Sequence, residues 1–512
     1  MRHALRCLCL LLLTCASHVG LARAGTTWHL VELGGSPAGW LRTTISDPDD
    51  PTVRTEQAML LEVHRDGSPV KLRFESWFEE TRDGVPIRMG ARQRVGAGET
   101  FREARFDRDH LRVITEQGGR RTESREPLPK GPWLPPAAAR RYVEQRAGAG
   151  ADRITLRTID PLSGLAPVAY ERVRAGTDEL EVFGRTIATT RWTVTTTPSP
   201  GVPSTEWIDA DGLAVRTEAS MGELRLTMRL ATEAEATGER EPPELLTTTF
   251  VRPSRAIEHP RHVRSASYVL RIPGGEMPDV ADAGAQRSER LSPEALRVTV
   301  DLDASGSSTG RPRRNEARRD APSLAATTLL DHKDPAVRTL VRQATAGTGE
   351  GGRENRTPIR AEAMRRFVYD YITDKHLDVA FGTASETARS RAGDCTEHAA
   401  LLAAMLRADA IPARLVIGLI YADRFAGERD IFAYHMWVRA LVMIDGQARW
   451  VDLDATLPRD TPFDATHIAI VESSGENGLT DAGFARLVPL MGRLQIEVER
   501  VEHAPSRREG SR

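Results

Sequence analysis

From Gly25 to about Ala234, apolar and polar residues alternate with a period of two. Val70, Leu72, Phe74, Ser76 and Phe78 interleave with Lys71, Arg73, Glu75, Trp77 and Glu79. Leu224, Leu226, Met228 and Leu230 interleave with Arg225, Thr227 and Arg229. One apolar face and one wet face is what half-buried antiparallel strands require. Asp66-Gly67, Asp83-Gly84 and Asp211-Gly212 stand between such runs and read as hairpin turns, because glycine accepts a positive φ at little cost. A second group of strands, clearest at 266–272 and 296–300, falls within 245–305. A polar Gly/Ser/Arg-rich stretch at 304–320 reads as a solvated linker. The period then changes. Pro335 opens a helix to about Ala346, a longer helix runs from Ile359 to Lys375, and 395–407 (CTEHAALLAAMLR) forms a third. The pattern predicts a multidomain chain: an antiparallel β-rich domain over 25–244, a small β unit over 245–305, a linker over 306–325, a mixed helix-and-strand domain over 326–504 and a disordered tail over 505–512.

The first 24 residues read as an export signal. Arg2, His3 and Arg6 precede a short apolar core at 7–16, and Ala22-Arg23-Ala24 supplies a small-x-small cleavage pattern. Cleavage after Ala24 would place the mature protein in the periplasm or outside the cell. Anchoring as a lipoprotein through Cys15 ranks second, because Thr14 is a poor residue before a lipidated cysteine. No later run is apolar for 18 residues, so no integral membrane segment is expected in the mature chain. The formal net charge of −2 argues against nucleic acid as a partner. Lys71, Lys130, Lys333 and Lys375 are the only lysines, so the chain offers few amines of its own to acyl transfer.

Cysteine usage carries the chemistry. Cys7, Cys9 and Cys15 lie in the signal, and Cys395 alone remains in the mature chain. With no internal disulfide partner, reactivity is the reading. A redox role is weak, since no resolving cysteine is left. Asp394 and Glu397 form a capping-box pattern, placing Cys395 in a first helical turn. There the helix dipole favours a thiolate, and free N–H groups can hold a developing oxyanion. Asp445-Gly446 predicts a hairpin between a strand at Tyr434–Ile444 and one at Gln447–Asp454. In that register Arg439 faces Asp452, and Asp454 is the diagonal neighbour of His435. A carboxylate behind an imidazole fixes its tautomer. Cys395, His435 and Asp454 are therefore the candidate catalytic residues, with Asp452 the alternative carboxylate and His398 the alternative base. No cofactor and no metal is expected. His259 and His262 lack a third ligand, and Asp47, Asp49 and Asp50 lack the glycine and glutamate of a calcium loop.

Gly393-Asp394-Cys395, the Leu401–Arg407 helix, Ile411-Pro412-Ala413-Arg414, His435-Met436-Trp437-Val438 and Trp450-Val451-Asp452-Leu453-Asp454-Ala455-Thr456 together resemble the bacterial transglutaminase-like superfamily over about 325–475. The resemblance implies a papain-like α+β fold and a Cys-His-Asp triad falling on Cys395, His435 and Asp454. The family includes transamidating enzymes, peptidases and amidases, so with the export signal the expectation is an exported enzyme acting on peptide or glutamine-type amides through a thioester, hydrolysis ahead of cross-linking because an amine route must exclude water. Ala455 departs from the family pattern, which carries proline there. The alternative is a catalytically silent envelope binding or scaffold protein that works through its β domain. Residues 185–230 resemble the curved sheets of periplasmic lipoprotein-carrier-like domains, which implies a concave face able to hold an apolar ligand or an envelope partner.

Overall fold

The structure is a computed structural model that describes residues 25–46, 50–65, 68–95, 98–117, 120–197, 202–221, 224–244, 249–303, 321–348, 356–375, 382–475 and 487–504. The expected signal peptide and its cleavage site, the Asp66-Gly67 turn, Asp47 and Asp49, most of the linker and the C-terminal tail lie outside these residues. The chain divides into two compact units, one ending at Leu245 and one beginning at Leu246.

In the first unit fourteen antiparallel strands form a single sheet. Eight run in sequence from Gly25–Leu33 to Arg120–Pro127, and six run from Arg153–Thr158 to Leu224–Ala231. The two runs join where Gly25–Leu33 pairs with Leu224–Ala231. The alternation is realised in burial, with Val70, Leu72, Phe74, Ser76 and Phe78 all turned inward. Asp83-Gly84 and Asp211-Gly212 sit between strands, with Gly84 and Gly212 at φ 82° and 83°.

The helix Pro136–Gly148 lies between the two edge strands in sequence, and its Tyr142, Val143 and Ala147 pack against an apolar cluster that holds Tyr170, Trp192 and Val194. A second cluster of the unit holds Phe78, Met89 and Leu111. The first turn of the helix lacks a side-chain cap of its own. Glu80 supplies one from the sheet, accepting hydrogen bonds of 2.9 Å from the N–H groups of both Ala137 and Ala138. Helix and sheet enclose a cavity of about 140 Å³ whose walls include Phe78, Tyr170 and Trp192 but also Thr43 and Arg140. A guest there would meet hydrogen-bonding groups as well as rings. The outer face carries a small cluster of its own, in which Leu30, Ala231 and Ala236 pack with Trp28 and Trp40. For that reason Ala231 is buried and Leu230 is only half-buried, against the simple alternation.

The second unit holds two four-stranded antiparallel sheets and four α-helices among its described residues. In one sheet the order is Gln286–Ser292, Ala295–Asp301, Val263–Arg271 and Gln495–His503. This corrects the separate small β unit expected over 245–305. Its strands share a sheet with a strand more than 190 residues further on, and the unit is part of the same compact body. The expected linker also ends earlier than 325, because Ser323 is buried and accepts a hydrogen bond of 3.1 Å from Arg414.

The other sheet runs Gln447–Leu453, Glu428–Ile444, Ala413–Phe425, His467–Ser473. Glu428–Ile444 is an interior strand, and its run from Ile431 to Val442 is buried throughout. Strands flank both its edges, so a near-continuous apolar sequence is what the position demands. The helix Cys395–Ala408 packs on this strand and on Ala413–Phe425. Of its fourteen residues, all from Thr396 to Arg407 are buried. The helices Pro335–Thr345, Arg356–Tyr371 and Ala384–Ser390 close around it. Ala384–Ser390 was not anticipated from the sequence. It is a short helix defined mainly by a capping box between Thr383 and Glu386.

Candidate active site

Cys395 is the first residue of its helix, half-buried and free. Asp394 caps the helix, its Oδ1 accepting from the N–H of Thr396 at 2.9 Å. Glu397 folds back so that its Oε2 accepts from the N–H of Asp394 at 3.1 Å and its Oε1 from that of Gly382 at 3.1 Å. Room for this comes from Gly393, which adopts φ 148°. A Cβ there would stand 2.3 Å from the Cβ of Glu397. The expected cap is therefore present, and it fixes the backbone on which the sulfur sits.

The expected hairpin is present as well. Ile444 pairs with Gln447, and Asp445 and Gly446 both have positive φ, as a two-residue hairpin turn needs. Arg439 lies opposite Asp452 and donates to both its oxygens, at 2.9 and 3.2 Å. Trp437 Nε1 donates to Asp452 as well, at 2.8 Å. Asp452 is thus committed to Arg439 and Trp437. Asp454 lies one residue beyond the paired strand, fully buried, and its Oδ2 is 2.8 Å from His435 Nε2. The Cys395 sulfur acts on the same ring, by hydrogen bond and by charge. The three candidate residues converge.

Asp454 is held by more than His435. Its Oδ1 accepts from the N–H of Thr456 at 2.8 Å and from the Thr456 hydroxyl at 2.7 Å. Arg365, buried in the helix Arg356–Tyr371, donates to the carbonyls of Leu457 at 3.1 Å and Arg459 at 2.6 Å, which anchors the loop that carries Asp454. His398, the alternative base, hydrogen-bonds through Nδ1 to the carbonyl of Asp394 at 2.7 Å. Burial pulls it down to about 4 and keeps it neutral. Its Nε2 is buried and has no hydrogen-bond partner among the described residues.

The electrostatics of the pair oppose burial. Desolvation pushes His435 toward the neutral ring, but the Asp454 carboxylate and the Cys395 sulfur outweigh it and lift the imidazole to about 10. Desolvation likewise favours the protonated form of Asp454, yet His435 and His467 hold it well below the ordinary carboxylate range. Folding therefore gains from the His435 proton most fully below the ordinary value of 6.5, and loses that gain as pH rises toward about 10. For Asp454 the gain is present above its ordinary 3.8 and is lost on acidification. The unit containing Cys395 should accordingly be most thermostable between about pH 4 and 6.5. Thermal unfolding followed across pH checks this: the alkaline decline should flatten in a His435→Ala variant.

One neighbour had no motif to mark it. His467, at the start of His467–Ser473, places Nε2 at 3.3 Å from Asp454 Oδ2. His435, Asp454 and His467 offer donor atoms within 4.8 Å of one another. Both nitrogens are aimed at the same carboxylate oxygen rather than at a shared point. That geometry suits hydrogen bonds to Asp454 better than coordination of an ion. His259 and His262 stack on each other at 6.2 Å.

Residues 338–455 match the family described as the transglutaminase-like superfamily. The chain thus has an N-terminal antiparallel β region followed by a transglutaminase-like domain. Among solved structures, the chain is similar to a β-barrel-like protein of a domain of unknown function, DUF1849, from Brucella abortus. That match is 10% identical, covers 40% of this chain and 95% of that one, and has a TM-score of 0.32. A protein called a "putative cysteine protease" from Cytophaga hutchinsonii is 15% identical over 47% of this chain and 88% of its own, with a TM-score of 0.27. No curated protein matches.

Proposed function

We propose that the chain is an exported cysteine enzyme that acts on peptide or glutamine-type amides through Cys395, His435 and Asp454. The observation that carries this is a half-exposed cysteine at a helix N-terminus, beside an imidazole whose far nitrogen is held by a fully buried carboxylate. The match of 338–455 to the transglutaminase-like superfamily supports it. In the first step the sulfur attacks the amide carbonyl, a C–S bond forms, and the carbonyl π electrons move to oxygen, where the backbone N–H of Cys395 can donate to them. His435 delivers its proton to the leaving nitrogen, the C–N bond breaks, and a thioester remains. Water then attacks with His435 as base, releasing the carboxylic acid and restoring the thiol. Asp454 keeps the ring oriented throughout.

Hydrolysis is the proposed outcome, because diverting the thioester to an amine needs a channel that excludes water. Among the described residues no helix is long and apolar enough to cross a membrane. The test is to incubate full-length protein with glutamine-containing peptides, with and without a labelled primary amine, and follow products by mass spectrometry. Conversion to the acid without label, abolished in Cys395→Ser, is the expected result. Label incorporation would replace hydrolysis by cross-linking. Turnover that survives Cys395→Ser would end the cysteine reading.

A further inference from the structure

The strand His467–Ser473 lies beside Ala413–Phe425 on the side away from Glu428–Ile444, so His467 and His435 approach Asp454 from two strands that do not touch each other. His467 is fully buried, and the proposed mechanism makes no use of it. Its ring is sandwiched, with Phe463 stacked at 4.0 Å and Trp437 edge-on at 5.3 Å. This leaves the imidazole plane little freedom.

We infer that His467 is a positioning residue, held as an imidazolium, that locks the Asp454 carboxylate onto His435. The inference rests on reading Cys395, His435 and Asp454 as the reacting set. It is carried by what the two ring nitrogens face. Nε2 faces Asp454 Oδ2 at 3.3 Å. Nδ1 faces the Asp464 carbonyl at 3.0 Å, with Asp464 Oδ1 at 3.4 Å. All three are acceptors. A neutral imidazole would turn a lone pair toward one of them, and only a ring protonated on both nitrogens satisfies both sides.

Asp464 is in no position to supply a proton instead. Its Oδ1 already accepts from the N–H and hydroxyl of Thr466, at 2.9 and 2.5 Å, and its Oδ2 from Arg261 Nη1 at 2.6 Å. The groups thus alternate in sign, from the half-buried Arg261 through the buried Asp464, His467, Asp454 and His435. The remaining titratable neighbours do not break the alternation. Tyr268 donates to the carbonyl of Ala465 at 3.0 Å, and His398 is held neutral on the helix side of Asp454. Burial acts against the charge on His467, and Asp464 and Asp454 outweigh it, so its proton is held more tightly than usual.

The consequence for Asp454 is saturation. Thr456 fills both acceptor directions of Oδ1, while His435 and His467 fill those of Oδ2. A carboxylate with about four acceptor directions, all occupied, has no rotation left that does not break a bond. Without His467, half of the grip on the oxygen that orients His435 is lost.

Two measurements on full-length protein test this. In the first, ¹⁵N NMR of histidine-labelled protein, with His467→Gln giving the assignment, should show both ring nitrogens of His467 protonated at pH 7. A neutral tautomer there would overturn the inference. In the second, iodoacetamide alkylation of Cys395 at pH 6 is compared in wild type, H467Q, H467L and H435A. Leucine keeps bulk but offers no donor, and its rate should fall about tenfold, the usual weight of one hydrogen bond to a charged group. Glutamine, whose amide can still donate to Asp454, should stay within about threefold. If H467L reacts as wild type does, His467 is only a core residue. If wild type reacts no faster than H435A, the fault lies with the reading of the cysteine site itself. If the leucine variant is shown unfolded by circular dichroism, the NMR result decides alone.

Discussion

Asp454→Asn should lower turnover of a glutamine peptide by about 10³–10⁴-fold, the scale seen when the carboxylate of an acyl-transfer triad becomes an amide. Four donors surround Asp454, and an amide accepts through one oxygen only. Either orientation of the substituted amide sets its NH₂ group against N–H or O–H donors, those of Thr456 or those of the two imidazoles. His435 also loses the negative partner that raises it to about 10. Burial, which favours the neutral ring, should then weigh more, and His435 should stop serving as a standing proton donor at neutral pH. The comparison is kcat/KM for wild type and variant, with circular dichroism to show that the fold persists. A loss below tenfold would mean that Asp454 does not orient His435.

A second large effect is expected at a residue that carries no reacting atom. Gly393→Ala should destabilise the unit that carries Cys395 by about 2–4 kcal/mol, combining backbone strain with the loss of a helix cap. At φ 148° an alanine is strained in itself, and its methyl would overlap Glu397. Glu397 would have to leave, releasing the N–H groups of both Asp394 and Gly382. Cys395 sits on the backbone that these bonds define, so its alkylation at pH 6 should slow along with the drop in denaturation midpoint. Unchanged midpoint and rate would show that the loop has space to relax.

Much of this site could be read from sequence because its parts are local. The Asp394–Glu397 cap spans four residues, and the Asp445-Gly446 turn sets a hairpin register that brings Arg439 to Asp452 and leaves Asp454 just past the ladder. Short-range chemistry of this kind has few competing solutions. His467 was invisible for the opposite reason. It opens an apolar strand with no spacing relation to His435, and a third strand must come between before the two meet at one carboxylate. The Asp464-Ala465-Thr466-His467 run, in which Asp464 accepts from the N–H and hydroxyl of Thr466, is the local signal that could have drawn attention to it. The pairing of Val263–Arg271 with Gln495–His503 was missed because alternation reveals a strand but not its partner. In the first unit alternation marked strands such as those at 70–78 and 224–230 but not the helix Pro136–Gly148, and the covering of the outer face by Trp28 and Trp40 followed from residues on separate strands.

That long-distance pairing also sets an order of assembly. The hydroxyl of Ser267 bonds to Glu499, 232 residues later. At ordinary synthesis rates a nascent chain waits roughly 10–50 seconds between making one strand and making the other. Throughout that interval the edge of Val263–Arg271 is bare, open to pairing with whatever strand it meets. Completion of the cysteine-bearing unit is therefore a closing event rather than an early one, and the newborn polypeptide passes through a vulnerable stage before the strand Gln495–His503 docks.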